Sequence, residues 1–162
     1  MNSKCQQTRD VTFFVMVLLF TLLLAWFGLG RAFFDHHWHS SDSTWWIVVL
    51  ALAVCLLLSG LVVAGLTLRL PEPRVHKIFF QLAGASAAAI PICAVLHNVV
   101  YGLFIWWFGQ GFWERHGSSE PFFLTLAVVV CPALFVVGAI GSTALLIKAR
   151  RPKQGRESQS LA

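Results

Sequence analysis

The stretch STWWIVVLALAVCLLLSGLVVAGLTL, Ser43 to Leu68, runs for 26 residues without an Asp, Glu, Lys or Arg. An α-helix of this length measures about 39 Å at 1.5 Å of rise per residue. The hydrocarbon core of a bilayer is roughly 30 Å thick, so a helix of about 20 apolar residues crosses it once. The stretch therefore predicts one transmembrane helix.

Three further segments of the chain also lack charged residues: Val11 to Gly30, Ile78 to Trp113, and Pro121 to Ile147. Of the 162 residues, 57% are hydrophobic and 12% are charged, whereas soluble domains carry about 25% charged residues. The sequence therefore predicts an all-α integral membrane protein, a four-helix bundle with four transmembrane helices.

Two of these segments allow a second interpretation. The third could span twice, but its natural break at Pro91 would leave two pieces too short to cross, so we predict one span with residues 108–113 on the outer surface. The first could be a signal peptide, but its apolar core exceeds the roughly 7 to 15 residues of such a signal. A retained first helix is favoured. Pro91 and Pro132 lie inside spans and tend to kink them.

The domain organisation follows from these segments. We predict a cytoplasmic N-terminal tail over residues 1–10 and a transmembrane domain over 11–148, with spans at about 11–30, 45–68, 80–107 and 121–147. Residues 149–162 are basic and then polar, and they have too little apolar surface to fold alone. They predict a disordered, basic cytoplasmic tail.

The orientation follows from the positive-inside rule. Ten of the twelve Lys and Arg residues fall in the N-terminal tail, the second loop and the C-terminal tail, whereas the outer loops contribute only Arg31 and Arg115. All seven tryptophans fall toward the opposite interface, where indole rings prefer to lie. We predict that both termini are cytoplasmic in a multi-pass protein of the plasma (inner) membrane.

Small residues predict how the helices pack, because association in lipid relies on close backbone approach. Helices two, three and four each carry such residues on one face, whereas helix one does not and is predicted to be the most exposed to lipid. The candidate packing residues are Gly60, Ala64, Gly84, Gly102, Gly138 and Ser142.

Polar side chains inside spans are candidates for function, because they are costly to hold in hydrocarbon without a partner. Helix three carries His97, Asn98 and Tyr101, which are predicted to project toward the interior of the bundle. His97 could carry a proton or ligate a metal or haem, since neutral imidazole is a good ligand. The alternative is a neutral histidine hydrogen-bonded to a neighbouring helix, and the absence of a second buried ionisable group favours it.

Two candidate metal sites differ in depth. At the outer face, His36, His37, His39 and His116 could present imidazoles to a divalent cation, although DHHWH has no recognised ligand spacing. Inside the membrane, Cys55, His97 and Cys131 are each ten residues below the predicted outer rim and could bind a soft transition metal. Inert packing is the alternative for the cysteines. A thiol oxidase is disfavoured, since the chain has no C-x-x-C.

The sequence favours a non-enzymatic role: a small structural, assembly or accessory subunit that associates with itself or with a larger membrane complex. The lipid bilayer is its predicted environment, and nucleic acid is not predicted as a partner. One alternative is a metal- or haem-dependent redox protein that uses the outer histidines and His97; otherwise no cofactor is predicted. A channel or carrier is a further alternative, with a wet path lined by Asn98, Tyr101, Thr125 and Ser142.

Overall fold

The computed structural model describes residues 3–34, 43–116 and 121–159, with side chains over 4–26, 47–115 and 122–149. These ranges contain helices and no strand. The helices are α1 (Ser3–Phe34), α2 (Ser43–Arg69), α3 (Arg74–Phe108), α4 (Gly111–His116), α5 (Pro121–Thr125), a π-helical segment (Leu126–Val130) and α6 (Cys131–Gln159).

Four of the described stretches are long and apolar enough to cross a membrane: Lys4–Trp26, Ile47–Arg69, Arg74–Phe108 and Phe122–Ala149. The predicted all-α four-helix bundle is confirmed. The third span is one continuous helix through Pro91. It ends at Phe108, where Gly109 adopts a φ of +83° that favours glycine, and the short helix α4 follows.

Both terminal segments of the chain are more helical than the composition suggested. Helix α1 already includes most of the predicted N-terminal tail. Helix α6 continues through Gln159, where we predicted disorder from residue 149. The Lys, Arg, Gln and Glu of this tail have good helix propensity, whereas Pro152 and Gly155 oppose a helix.

The fourth span is interrupted before its midpoint. Pro132 has no backbone N–H, and a proline ring clashes with the carbonyl four residues earlier, here that of Val128. The chain avoids the clash by widening its turn over Leu126–Val130, so the Cys131 N–H donates to the Leu126 carbonyl, five residues back. Such π-helical turns are a recognised way for a helix to absorb an interruption.

Helix α3 lies at the centre of the bundle and packs against α2 and α6, while α1 packs mainly on α2. Gly60 and Gly84 bring α2 and α3 together: a Cβ added at Gly84 would lie 2.9 Å from the backbone nitrogen of Ala64. A Cβ added at Gly138 would lie 2.6 Å from the backbone nitrogen of Ala83, across the α3–α6 contact. The three helices therefore meet at backbone-to-backbone distance.

Helix α1 contributes more to the core than its lack of small residues predicted. Phe13, Met16 and Phe20 are buried, and the ring of Phe13 packs edge-on against Phe80 with 5.1 Å between centroids. Where no glycine lets two helices approach closely, large side chains can fill the wider gap between them. The core consists of Phe13, Met16, Phe20, Leu56, Val63, Phe80, Ala83, Ala87 and Phe135.

Candidate functional site

His97, Asn98 and Tyr101 lie in the C-terminal half of α3, where the helix is loosely packed; this half is predicted above to face the outer side and is called the outer half. The buried residues of α3 all fall between Phe80 and Ala88. Beyond Pro91, His97 and Tyr101 are half-buried and Asn98 is exposed. The prediction that all three project into the bundle therefore differs from the structure at Asn98, because the tight contacts of α3 with α2 and α6 end about three turns below it.

His97 and Tyr101 belong to a series of aromatic rings at the outer end of α3. The His97 and Tyr101 rings lie 6.3 Å apart between centroids. Tyr101 stacks on Trp113 with 5.6 Å between centroids and an interplanar angle of 10°, and the Trp113 Nε1–H donates to the Tyr101 carbonyl at 3.3 Å. Helix α4, which carries Trp113, is thus folded back against the end of α3.

Asn98 bonds to its own helix. Its Nδ2 donates to the Ala94 carbonyl at 2.8 Å. Ala94, Asn98 and Tyr101 are spaced i, i+4 and i+7 and share one face of α3. Asn98 is therefore an exposed carboxamide within a candidate span, with a small residue one turn below it on the same face.

A cavity of about 710 Å³ opens beside this face, among the four spans. Its lining side chains are apolar and include the prolines of α3 and α6. The space is partly open at the surface of the bundle, so atoms from the surroundings can enter it. The lining residues are Phe20, Leu23, Leu24, Val49, Ala53, Leu56, Ile90, Pro91, Ala94, Ala127, Val128 and Pro132.

The candidate packing residues divide between close contacts and open positions. Gly60, Ala64 and Gly84 meet across α2 and α3, and Gly138 meets Ala83 across α6 and α3. Ser142 is fully buried, and its Oγ has no hydrogen-bond partner among the described residues. Gly102 departs from the pattern: a Cβ added there would meet no atom within 4 Å.

The candidate metal ligands are not brought together where the structure describes them. His36, His37 and His39 lie outside the described residues, as does the side chain of His116, so the outer site stays a prediction. Among the described residues, no three His, Cys, Asp or Glu side chains are grouped to hold a metal ion. Cys55 is exposed on α2, whereas the Cys131 thiol is buried and lies beside Cys93 of α3.

The residues proposed for a wet path differ in environment. Thr125 is exposed and Ser142 is buried near the opposite end of the fourth span. The space beside Ala94 has an apolar lining rather than a polar one. The described residues therefore give the channel alternative no continuous polar path.

Sequence reasoning missed an ionic cluster at the end of the bundle where α1 begins. Arg9, used above only to assign orientation, has a fully buried side chain. Its guanidinium forms ion pairs with Asp10, at 2.7 Å, and with Glu72 of the α2–α3 loop, and it lies 4.0 Å above the Phe80 ring. Arg9 and Glu72 are 63 positions apart. The signal that could have found them is the pair of opposite charges just outside the first and second spans, in segments that the positive-inside rule predicts on the same side.

Comparisons with protein-family models, with curated proteins and with solved structures find no match to this chain. The fold and the candidate site are therefore inferred from the sequence and structure of this chain. They define an all-helical protein with four candidate membrane spans, three polar residues in the outer half of α3 and an apolar cavity beside them.

Proposed function

We propose that this chain is a non-enzymatic accessory subunit that assembles within the membrane, through the outer half of α3, with itself or with a larger membrane complex. The observation that carries the proposal is Asn98, an exposed carboxamide in a span whose amide donates only to its own helix among the described residues. A polar side chain in hydrocarbon gains from a partner on a second helix. Asn98 therefore favours a second helix on this face.

The surroundings of Asn98 support helix association. Ala94 and Gly102 lie one turn below and one turn above it, and small residues at this spacing let two backbones approach closely. Val95 and Trp106, toward the same side of α3, are 61% and 81% exposed. The described parts of the other helices leave this face uncovered, so it offers a partner helix both a polar contact and an apolar surface.

Four hydroxyl groups of the spans support a structural role rather than chemistry. Thr21, Ser59, Thr67 and Ser86 each donate to a carbonyl three or four residues earlier on the same helix. A hydroxyl that donates to a carbonyl of its own helix has a hydrogen-bond partner without a second helix. It is not directed at a substrate position.

The proposal is tested by replacing Asn98 with leucine and following the size of the assembly in native membranes. Mild-detergent native electrophoresis should find the wild-type chain in a complex larger than its own 18.0 kDa. An interhelical hydrogen bond of about 0.6–2 kcal/mol corresponds to a roughly 3- to 30-fold weakening of association in Asn98→Leu. The variant should shift toward the monomer.

Thr21→Val is the matched control, because Thr21 is also exposed in a span and bonds to its own helix. It should leave the assembly unchanged. A wild-type chain that runs as a monomer, or equal behaviour of the two variants, would remove the support for assembly through Asn98.

A further inference from the structure

We propose that the cavity among the four spans binds one acyl chain of a phospholipid from the outer leaflet. This inference goes beyond the assembly proposal and does not depend on it, since it stands on the cavity and its lining rather than on Asn98. The occupant is identified by three properties of the cavity: its volume, the chemistry of its walls and its depth.

The volume suits a long hydrocarbon chain. An engineered cavity of about 150 Å³ lined by aliphatic and aromatic side chains holds one benzene molecule. The present cavity, at about 710 Å³, is nearly five times larger. It lies within the range of roughly 300–1,000 Å³ typical of small-molecule pockets. One acyl chain fits this space, whereas a single small apolar molecule would leave most of it empty.

The side chains of the walls favour an apolar occupant. All twelve lining residues are apolar, and each of the four spans contributes at least two of them. An ordered water needs two to four polar partners, which such side chains do not supply. A hydrocarbon chain therefore gains contacts here that water cannot make.

The depth points to the outer leaflet. The cavity extends from the middle of the spans, at Leu56 and Ala94, toward the ends that the positive-inside rule assigns to the outer side, at Val49 of α2 and Ala127 of the fourth span. Tyr101, two turns beyond Ala94 on the same face of α3, gives the polar end of a lipid an amphipathic neighbour at the interface.

Backbone irregularities and small side chains keep the space open. The fourth span widens over Leu126–Val130 before Pro132, and Pro91 lies opposite on α3. Ala53, Ala94 and Ala127 line the cavity, where larger residues would fill it. Substitution of these alanines therefore offers a direct way to remove the site.

The experiment uses the full chain in phosphatidylcholine vesicles that contain a phosphatidylcholine with a photoactivatable diazirine midway along one acyl chain. After illumination, mass spectrometry maps the labelled residues. We expect labelling of lining residues to exceed, several-fold, that of Val54 and Val62, which are exposed on α2 outside the cavity. Equal labelling of the two sets would mean only ordinary bilayer contact and would overturn the proposal.

Cavity-filling variants give the second readout. Ala53→Phe and Ala127→Phe should reduce labelling of the remaining lining residues by roughly tenfold, as a loss of about 1.4 kcal/mol of binding free energy would. Ala51→Phe and Ala133→Phe are matched controls, since both alanines are exposed on the same spans and neither lines the cavity. Unchanged labelling in the filling variants would contradict the assignment.

The design separates this site from the assembly proposal. If Ala127→Phe does not fold, the wild-type map and Ala53→Phe still decide the question. Asn98→Leu should keep the cavity labelling of the wild type, whatever its effect on assembly. Loss of cavity labelling in Asn98→Leu would contradict an independent acyl-chain site.

Discussion

Replacing Gly84 with leucine should separate α2 from α3 and cause a large loss of stability. A Cβ at Gly84 would lie 2.9 Å from the Ala64 nitrogen and 2.9 Å from the Gly60 carbonyl oxygen. Both are backbone atoms of α2, so the clash can be relieved only by moving the helix. Overpacking in ordinary cores costs about 1–3 kcal/mol. We expect the upper end of this range or more, measured as the free energy of unfolding by SDS titration in bicelles.

Gly65→Leu is the matched control for this prediction. Gly65 lies on α2, and a Cβ added there meets no atom within 4 Å. Its stability should stay close to that of the wild type, with a small gain where helix propensity contributes. Similar losses in the two variants would mean that the close α2–α3 contact does not hold the bundle together.

Replacing Arg9 with alanine should release the start of α1 from the rest of the bundle. The Arg9 guanidinium is buried between Asp10, Glu72 and Phe80, so its removal leaves the side chain of Glu72, 11% exposed, without its cation. Removing one partner of a buried ion pair costs about 3–5 kcal/mol. The same SDS titration should register this loss, and protease should cut near residue 9 at lower SDS than in the wild type.

Arg74→Ala separates this effect from a simple loss of positive charge. Arg74 is exposed at the same end of the bundle, at the start of α3. Arg74→Ala removes one positive charge from the side predicted to be cytoplasmic, as Arg9→Ala does. If Arg74→Ala and Arg9→Ala lost equal stability, the buried ion cluster would not be the cause.

The number and positions of the spans were predictable because hydropathy acts locally along the chain. About 20 apolar residues in lipid must form a helix, since the backbone has no other hydrogen-bond partners there. Gly60 and Gly84 could also be singled out in advance, because close packing in lipid selects small residues at helical spacing. Charge and hydropathy do not determine where such a helix ends, and α6 extends beyond the apolar run.

The candidate site could be predicted only in part. His97, Asn98 and Tyr101 can be identified from the sequence because they are polar residues within an apolar segment. The exposure of Asn98 depends instead on where α3 loses contact with α2 and α6. That loss of contact is a property of three helices together. The cavity depends on the widened turn before Pro132 and on alanines in separate spans. The Arg9–Glu72 pair joins residues 63 positions apart, so no local pattern contains it.

Labelling of cysteines from the two sides of the membrane tests the central claim of four spans most directly. In right-side-out vesicles, an impermeant maleimide should label Ser40→Cys and Ser118→Cys, placed in the two predicted outer loops. Cys5 and Gln154→Cys, at the predicted cytoplasmic ends, should label only after permeabilisation. Labelling of Ser40→Cys and Gln154→Cys from the same side would contradict the four-span fold.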